Sequence, residues 1–261
     1  MPDTPVVHDP KAGAVVDWQS EMANAAKDVA KLERPQSSSI SLRSGVLSYQ
    51  GTPVPDNKLQ VVIIDYIGEH DYYEGEWDPN NVRSPVCFAL HKMDEEAKPH
   101  ELALKPQHDN CAECPQNKWA SDPKGGRGKA CQERRRFIVI PAHKEENLQP
   151  DAITSAEVAT LKLPVTSVKF WGQYVNTIAG LYNRPPFGII TELGTQPNVK
   201  SQFNMTFKAL GNVPDSAMPA IMQKRTLAQS VLWRPYDPQD ENTAEKEAAT
   251  AEDAKPKKFK K

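Results

Sequence analysis

The spacing of apolar and polar residues changes character along the chain, and each change predicts a different element. In residues 14–33 (AVVDWQSEMANAAKDVAKLE), Val15, Trp18, Met22, Ala25, Ala26, Val29 and Leu32 recur at near-helical intervals, and Pro35 opposes continuation. One peripheral helix is expected there. From Ser39 the texture becomes that of strands. ISLRSGVLSYQ (40–50) alternates apolar with polar residues. After a Pro/Asp/Asn turn at 53–57, LQVVIIDYI (59–67) is a β-branched run suited to a central strand. SPVCFALH (84–91), RRFIVIPA (135–142), VATLKLPV (158–165), FGIITEL (187–193) and SQFNMTFKAL (201–210) are further strand candidates. Residues 167–182 form an amphipathic helix, opened by Ser167 and closed by Asn183 and two prolines. A last helix is expected near 216–231.

Because strands do not alternate with helices, a doubly wound α/β protein is excluded. The order predicts a mainly β protein with a few helices (α+β), arranged as an OB-like Greek-key barrel with a long loop insertion. The expected organisation is a disordered segment and peripheral helix over 1–38, an OB-like domain over 39–236 with its insertion at 87–136, and a disordered charged tail over 237–261.

Composition adds limits. The 261 residues are 38% hydrophobic and 25% charged, with 23 prolines and a net charge of −2. The chain as a whole is therefore no basic nucleic-acid binder, and charge has to be read locally. No run approaches the ~20 apolar residues of a membrane helix. The N-terminus lacks a charged-then-apolar leader pattern, so a cytoplasmic protein without membrane contact is expected. In a reducing compartment, four cysteines suit ligands or free thiols better than two disulfides.

Those cysteines make one constellation: Cys87, Cys111-Ala-Glu-Cys114, and Cys131. A C-x-x-C turn offers two sulfurs from one knuckle, and zinc takes four in a tetrahedron. Cys87 and Cys131 stand towards the two ends of the insertion 87–136, whose polar stretch 92–134 holds Cys111, Cys114 and Cys131 and is long for a structureless loop. Structural Zn²⁺ there would close the loop at its base and carry part of its folding energy. Free thiols, an iron–sulfur cluster or a disulfide are the alternatives. His91 and His108 are possible substitute ligands, although a histidine in a polar loop is more commonly solvated.

Between Lys118 and Arg136 seven basic residues (Lys118, Lys124, Arg127, Lys129, Arg134, Arg135, Arg136) face Asp122 and Glu133, with Trp119 among them and Gly125, Gly126 and Gly128 loosening the segment. A basic loop with an aromatic suits a phosphate backbone and a stacked base. The alternative is a solvated loop with Trp119 tucked against the knuckle. No P-loop is present, since Ala130 follows Gly128-Lys129 and Pro123 stands where a glycine is required. Tyr72, Tyr73 and Trp77, in a polar segment, are further stacking candidates. Residues 65–78 hold six carboxylates and no Lys or Arg, which reads as a solvated hairpin better than as a Mg²⁺ site. No catalytic arrangement of Ser/His/Asp or Cys/His is found, and a non-enzyme is expected. The tail has Asp240, Glu241, Glu245, Glu247, Glu252 and Asp253 against Lys246, then KPKKFKK; an acidic tail of this kind can recruit basic partners.

The run Cys111 to Trp119, continuing through Gly125-Gly126-Arg127-Gly128-Lys129-Ala130-Cys131 to Arg134-Arg135-Arg136, resembles bacteriophage single-stranded DNA-binding proteins with an OB-like fold and a zinc-binding insertion. The layout before it (an apolar strand, Tyr72-Tyr73-Glu74-Gly75, then Pro85-Val86-Cys87) resembles them too, and the likeness spans about residues 39–210. It implies non-catalytic coating of single-stranded DNA during replication, recombination and repair, with replication or recombination proteins as possible partners of the tail. The alternative is a phage regulatory factor that docks on a host polymerase or a recombinase through the zinc loop. A metal-dependent nuclease ranks third.

Overall fold

The computed structural model describes residues 38–75 and 83–236, together with Glu21, Met22 and Ala25, which are helical. The rest of the helix expected over 14–33, Trp77 and the 237–261 tail lie outside the described residues. By its contacts the chain divides into Met1–Ser37 and Ser38–Lys261.

Within the second unit the described strands are β1 (Ser39–Arg43), β2 (Val46–Tyr49), β3 (Thr52–Pro53), β4 (Lys58–Tyr72), β5 (Cys87–His91), β6 (Gln132–Pro141), β7 (Ala159–Leu163), β8 (Ile189–Asn198) and β9 (Gln202–Asn212). The helices are α1 (Pro150–Ser155), α2 (Val165–Tyr182), α3 (Met218–Leu227) and α4 (Gln229–Leu232). The strands form one sheet in the order β3-β2-β1-β7-β6-β4-β8-β9, with β5 also on β4. Pairing is antiparallel except between β1 and β7. The protein is thus mainly β with a few helices, and the sheet curls into a half-barrel.

The central pair is β4 and β6. VVII (61–64) and FIVI (137–140) lack polar alternation, so strands made from them need cover on both faces. The fold provides it. Val61, Ile63, Phe137 and Val139 point into one core, where α2 adds Trp171, Tyr174 and Ile178. Val62, Ile64, Ile138 and Ile140 point the other way, against Leu148, Ile153, Ala217, Ile221 and Leu232 from the helical side. Each fully buried side chain of this size contributes about 1.5–3 kcal/mol relative to exposure.

The curl is held by a latch between distant loops. Asn57 Nδ2 donates to Gly45 O at 2.7 Å, and Thr195 Oγ1 donates to the same carbonyl at 2.6 Å. The turn between β1 and β2 is thereby tied to β8. That turn is Ser44-Gly45, with φ of 49° and 80°, the positive pair a two-residue hairpin of matching twist requires. Residues 40–50, expected as one strand, are therefore a hairpin. The turn signal was a single Ser-Gly inside an alternating run, and alternation continues across it.

The larger correction concerns residues 65–78. Rather than turning out into solvent, β4 runs on to Tyr72, pairing with β6 as far as Asp71 and with β5 from Gly68 to Tyr72. A register shift between Ile63 and Asp65 offsets the strand there. Glu69 and Asp71 are consequently buried, at 0% and 1% exposure. Their partners come from β6, as described below. The helices expected at 167–182 and 216–231 are present, the latter as α3 and α4. Among the described residues no helix is long and apolar enough to cross a membrane.

Candidate metal centre and basic loop

Cys87 opens β5, Cys111 and Cys114 flank a knuckle, and Cys131 immediately precedes β6. Strand pairing places Cys87 opposite Tyr72 at the end of β4. All four are free thiols and buried. They line one small enclosed cavity of ≈ 10 Å³ with His70, Tyr72, Phe88, His108 and Asn117 among its other walls. That volume is about what one water-sized guest occupies. The intervening polar stretch is ordered around it by its own hydrogen bonds. Cys111 N donates to Ala97 O at 2.9 Å, Cys131 N to Gln116 O at 2.8 Å, and Asn117 Nδ2 to Cys111 O at 2.8 Å, which closes the knuckle.

Burial, then the neighbouring Cys87 and Cys114 sulfurs, push the Cys111 thiol up to about 12. Burial raises Cys131 as well, helped by Asp71 and the other sulfurs, and Cys87 shifts the same way, mainly through burial. A set of thiols this crowded gives up its protons together only to a cation. The donor set is all sulfur, and it fits zinc by its chemistry.

Beside the cysteines lies a second set of donors. His70 on β4 and His91 on β5 stack, with ring centroids 4.8 Å apart. Asp94 Oδ1 is 3.3 Å from His91 Nδ1 and 4.0 Å from His70 Nε2. Among the described residues this trio is the group whose ligating atoms come within 4.8 Å of one another, and it could hold a metal ion. The four cysteines are not among the groups that meet this distance. His70 Nδ1 also lies 4.0 Å from Cys131 Sγ, so the two sets adjoin. Burial, then His91, lowers His70 to about 4. Burial likewise lowers His91, against the opposing pull of Asp94. Burial therefore favours the neutral form of both rings, the form that ligates a metal. Sequence reasoning treated His91 as solvated and passed over His70; the signal was His70 within a strand-forming stretch, obscured by six surrounding carboxylates.

The basic residues divide into two groups. Lys118, Lys124 and Arg127 are exposed, and Trp119 is 76% exposed, not tucked against the knuckle. Lys129 Nζ sits 5.2 Å from the Trp119 ring centroid and donates to Asn117 Oδ1. Arg135 pairs with Glu133 at 2.9 Å. Arg134 and Arg136 are turned to the helical side of the sheet: Arg134 Nε is 2.8 Å from Asp71 Oδ2, and Arg136 Nε is 2.6 Å from Glu69 Oε2. Of the aromatic candidates, Tyr73 is 39% exposed, Tyr72 is half-buried at the cysteine cavity, and Trp77 lies outside the described residues.

Elsewhere, a cleft of ≈ 500 Å³ opens at the β4 irregularity between α2 and the 183–187 turn. Arg225 stacks on Phe187 in its wall, 4.2 Å from the ring centroid. Compared with known protein families, curated proteins and solved structures, the chain matches none.

Proposed function

We propose that this protein is a non-catalytic single-stranded DNA-binding protein whose contact loop is anchored by a structural zinc ion on Cys87, Cys111, Cys114 and Cys131. One observation carries the reading: Trp119 stands 76% exposed beside the cysteine knuckle, with Lys118, Lys124 and Arg127 exposed around it. An aromatic face and cations at one loop match the stacking-plus-phosphate chemistry of sequence-tolerant single-strand binding. In this reading the curled sheet serves as an OB-like barrel, and residues 87–136 are its metal-bound insertion. Coating of strands exposed during replication, recombination or repair is the corresponding role.

The test is fluorescence anisotropy of a labelled ~30-nucleotide single strand, longer than the ~4–16 nucleotides an OB-fold covers, beside a duplex of the same sequence at two salt concentrations. Binding that favours the single strand and weakens with salt supports the proposal. Equal weak binding to both forms, or none, overturns it. The regulatory reading would then lead, since Leu102 and Leu104 are 58% and 78% exposed on the same insertion and offer apolar contact to a protein.

A further inference from the structure

We infer that His70, His91 and Asp94 form a second, solvent-facing site for a divalent transition-metal ion, distinct from the four cysteines. The inference stands on the geometry of these three residues and does not depend on the single-strand reading.

His91 is the main observation. Its side chain is 3% exposed; Nε2 has no hydrogen-bond partner, and Nδ1 faces Asp94 Oδ1 at 3.3 Å as an ion-pair contact without hydrogen-bond geometry. A buried imidazole nitrogen without a hydrogen-bond partner is costly, and an ion would satisfy it. The backbone is shaped to admit the ring. Gly68 is the cross-strand partner of His91, and a Cβ at Gly68 would lie 2.2 Å from His91 Cε1. Only glycine lets the imidazole fold across β4. His70, two residues on and therefore on the same face, stacks beside it. Asp94 closes the group from the turn after β5, its side chain 57% exposed.

The donors set the class of ion. Two imidazoles and one carboxylate suit iron(II), zinc, cobalt or nickel; magnesium and calcium prefer all-oxygen sets. Three protein ligands leave room for water, unlike a closed four-sulfur site. Because Asp94 faces solvent, the ion enters and leaves past it. The site is accordingly an exchangeable one.

The test loads the full metal-free chain with Co²⁺ and with Zn²⁺, and counts bound ions by native mass spectrometry. The Co²⁺ absorption separates thiolate charge transfer from bands of a nitrogen–oxygen site. Asp94→Asn is the main variant, since its exposed side chain leaves the fold intact; His91→Gln is the second. Loss of an outer-shell partner typically weakens a metal site by 10–100-fold, so removing a ligand should weaken this one by at least about tenfold. The expected result is a thiolate-free ion that Asp94→Asn weakens and Cys114→Ser retains. That result holds whether or not the cysteines bind zinc, so the two readings fail separately. Ion count and spectrum unchanged in both Asp94→Asn and His91→Gln would overturn the inference. So would a single thiolate-type ion lost equally in His91→Gln and Cys114→Ser, which would make His91 part of the cysteine centre.

Discussion

Arg136 Nε donates to Glu69 Oε2 at 2.6 Å, between side chains that are 6% and 0% exposed. The two are diagonal neighbours, because Glu69 lies opposite Arg134 and Arg136 opposite Ile67 in the β4–β6 ladder. Around them the Tyr236 hydroxyl donates to the other Glu69 oxygen, and Arg136 also donates to the carbonyls of Leu232 and Arg234. Lys162 Nζ is 4.1 Å from the Tyr236 ring centroid. The segment after α4 is thereby fastened to the sheet by charge. Burial would raise the Glu69 carboxyl, but Arg136 and Lys162 outweigh it and hold it below the usual range.

Removing one member of that pair leaves the other charge buried and unmatched. Arg136→Met is expected to cost about 3–5 kcal/mol in urea unfolding, and Glu69→Leu with Arg136→Met together less than the sum of the two singles. Additive single and double values would show that the pair is not coupled. Single-strand affinity of the folded Arg136→Met protein should match wild type, as its guanidinium is internal.

Gly68→Ala drives a methyl into His91 and is expected to destabilise by about 1–3 kcal/mol. Combining it with His91→Ala vacates the space and should restore part of the loss. A Gly68→Ala protein as stable as wild type would mean the ring has another place to go.

For the proposed zinc site on the cysteines, Cys114→Ser is expected to abolish thiolate-type metal binding and lower the melting temperature through the 92–131 segment. An unchanged thiolate-type metal signal and melting temperature would exclude the site.

Trp119 and its exposed cations should separate binding from stability. Trp119→Ala is expected to leave unfolding within about 0.5 kcal/mol of wild type and to weaken single-strand binding by about 1–3 kcal/mol. Lys124→Gln and Arg127→Gln should each reduce the slope of log K against log salt by ~0.7. Arg134 and Arg136 variants should not change that slope once folded protein is compared.

The pH response has a defined sign at Asp65. Burial would raise its carboxyl, but hydrogen bonds from Lys92, Gln229 and the Tyr66 amide outweigh it and keep the carboxyl below the unfolded value of 3.8. A depressed folded value stabilises the fold above the unfolded one, and that contribution disappears as pH falls through the folded one. Asp65→Asn should therefore be less stable than wild type near neutrality, with the gap narrowing below pH 3.8. A gap that stays constant across that range, measured by urea midpoints, would remove Asp65 from the acid response.

The sequence by itself determined the mainly β class, most strand positions and α2, because an apolar face has the same period in any context where it becomes buried. It also determined that the four cysteines would bracket and punctuate the polar segment between β5 and β6, since that is a matter of spacing. Only the tertiary structure decided what the charged residues do. Glu69, Asp71, Arg134 and Arg136 read as solvated acid and phosphate-seeking base when each segment is considered alone. Pairing of β4 with β6 puts them opposite one another, beneath the chain segment after α4, where charges can be buried only in opposite-signed company. The same pairing, with β5 on the other edge of β4, stacks His70 on His91 over Gly68. Neighbours of that kind arise across strands, and no local pattern of residues encodes them.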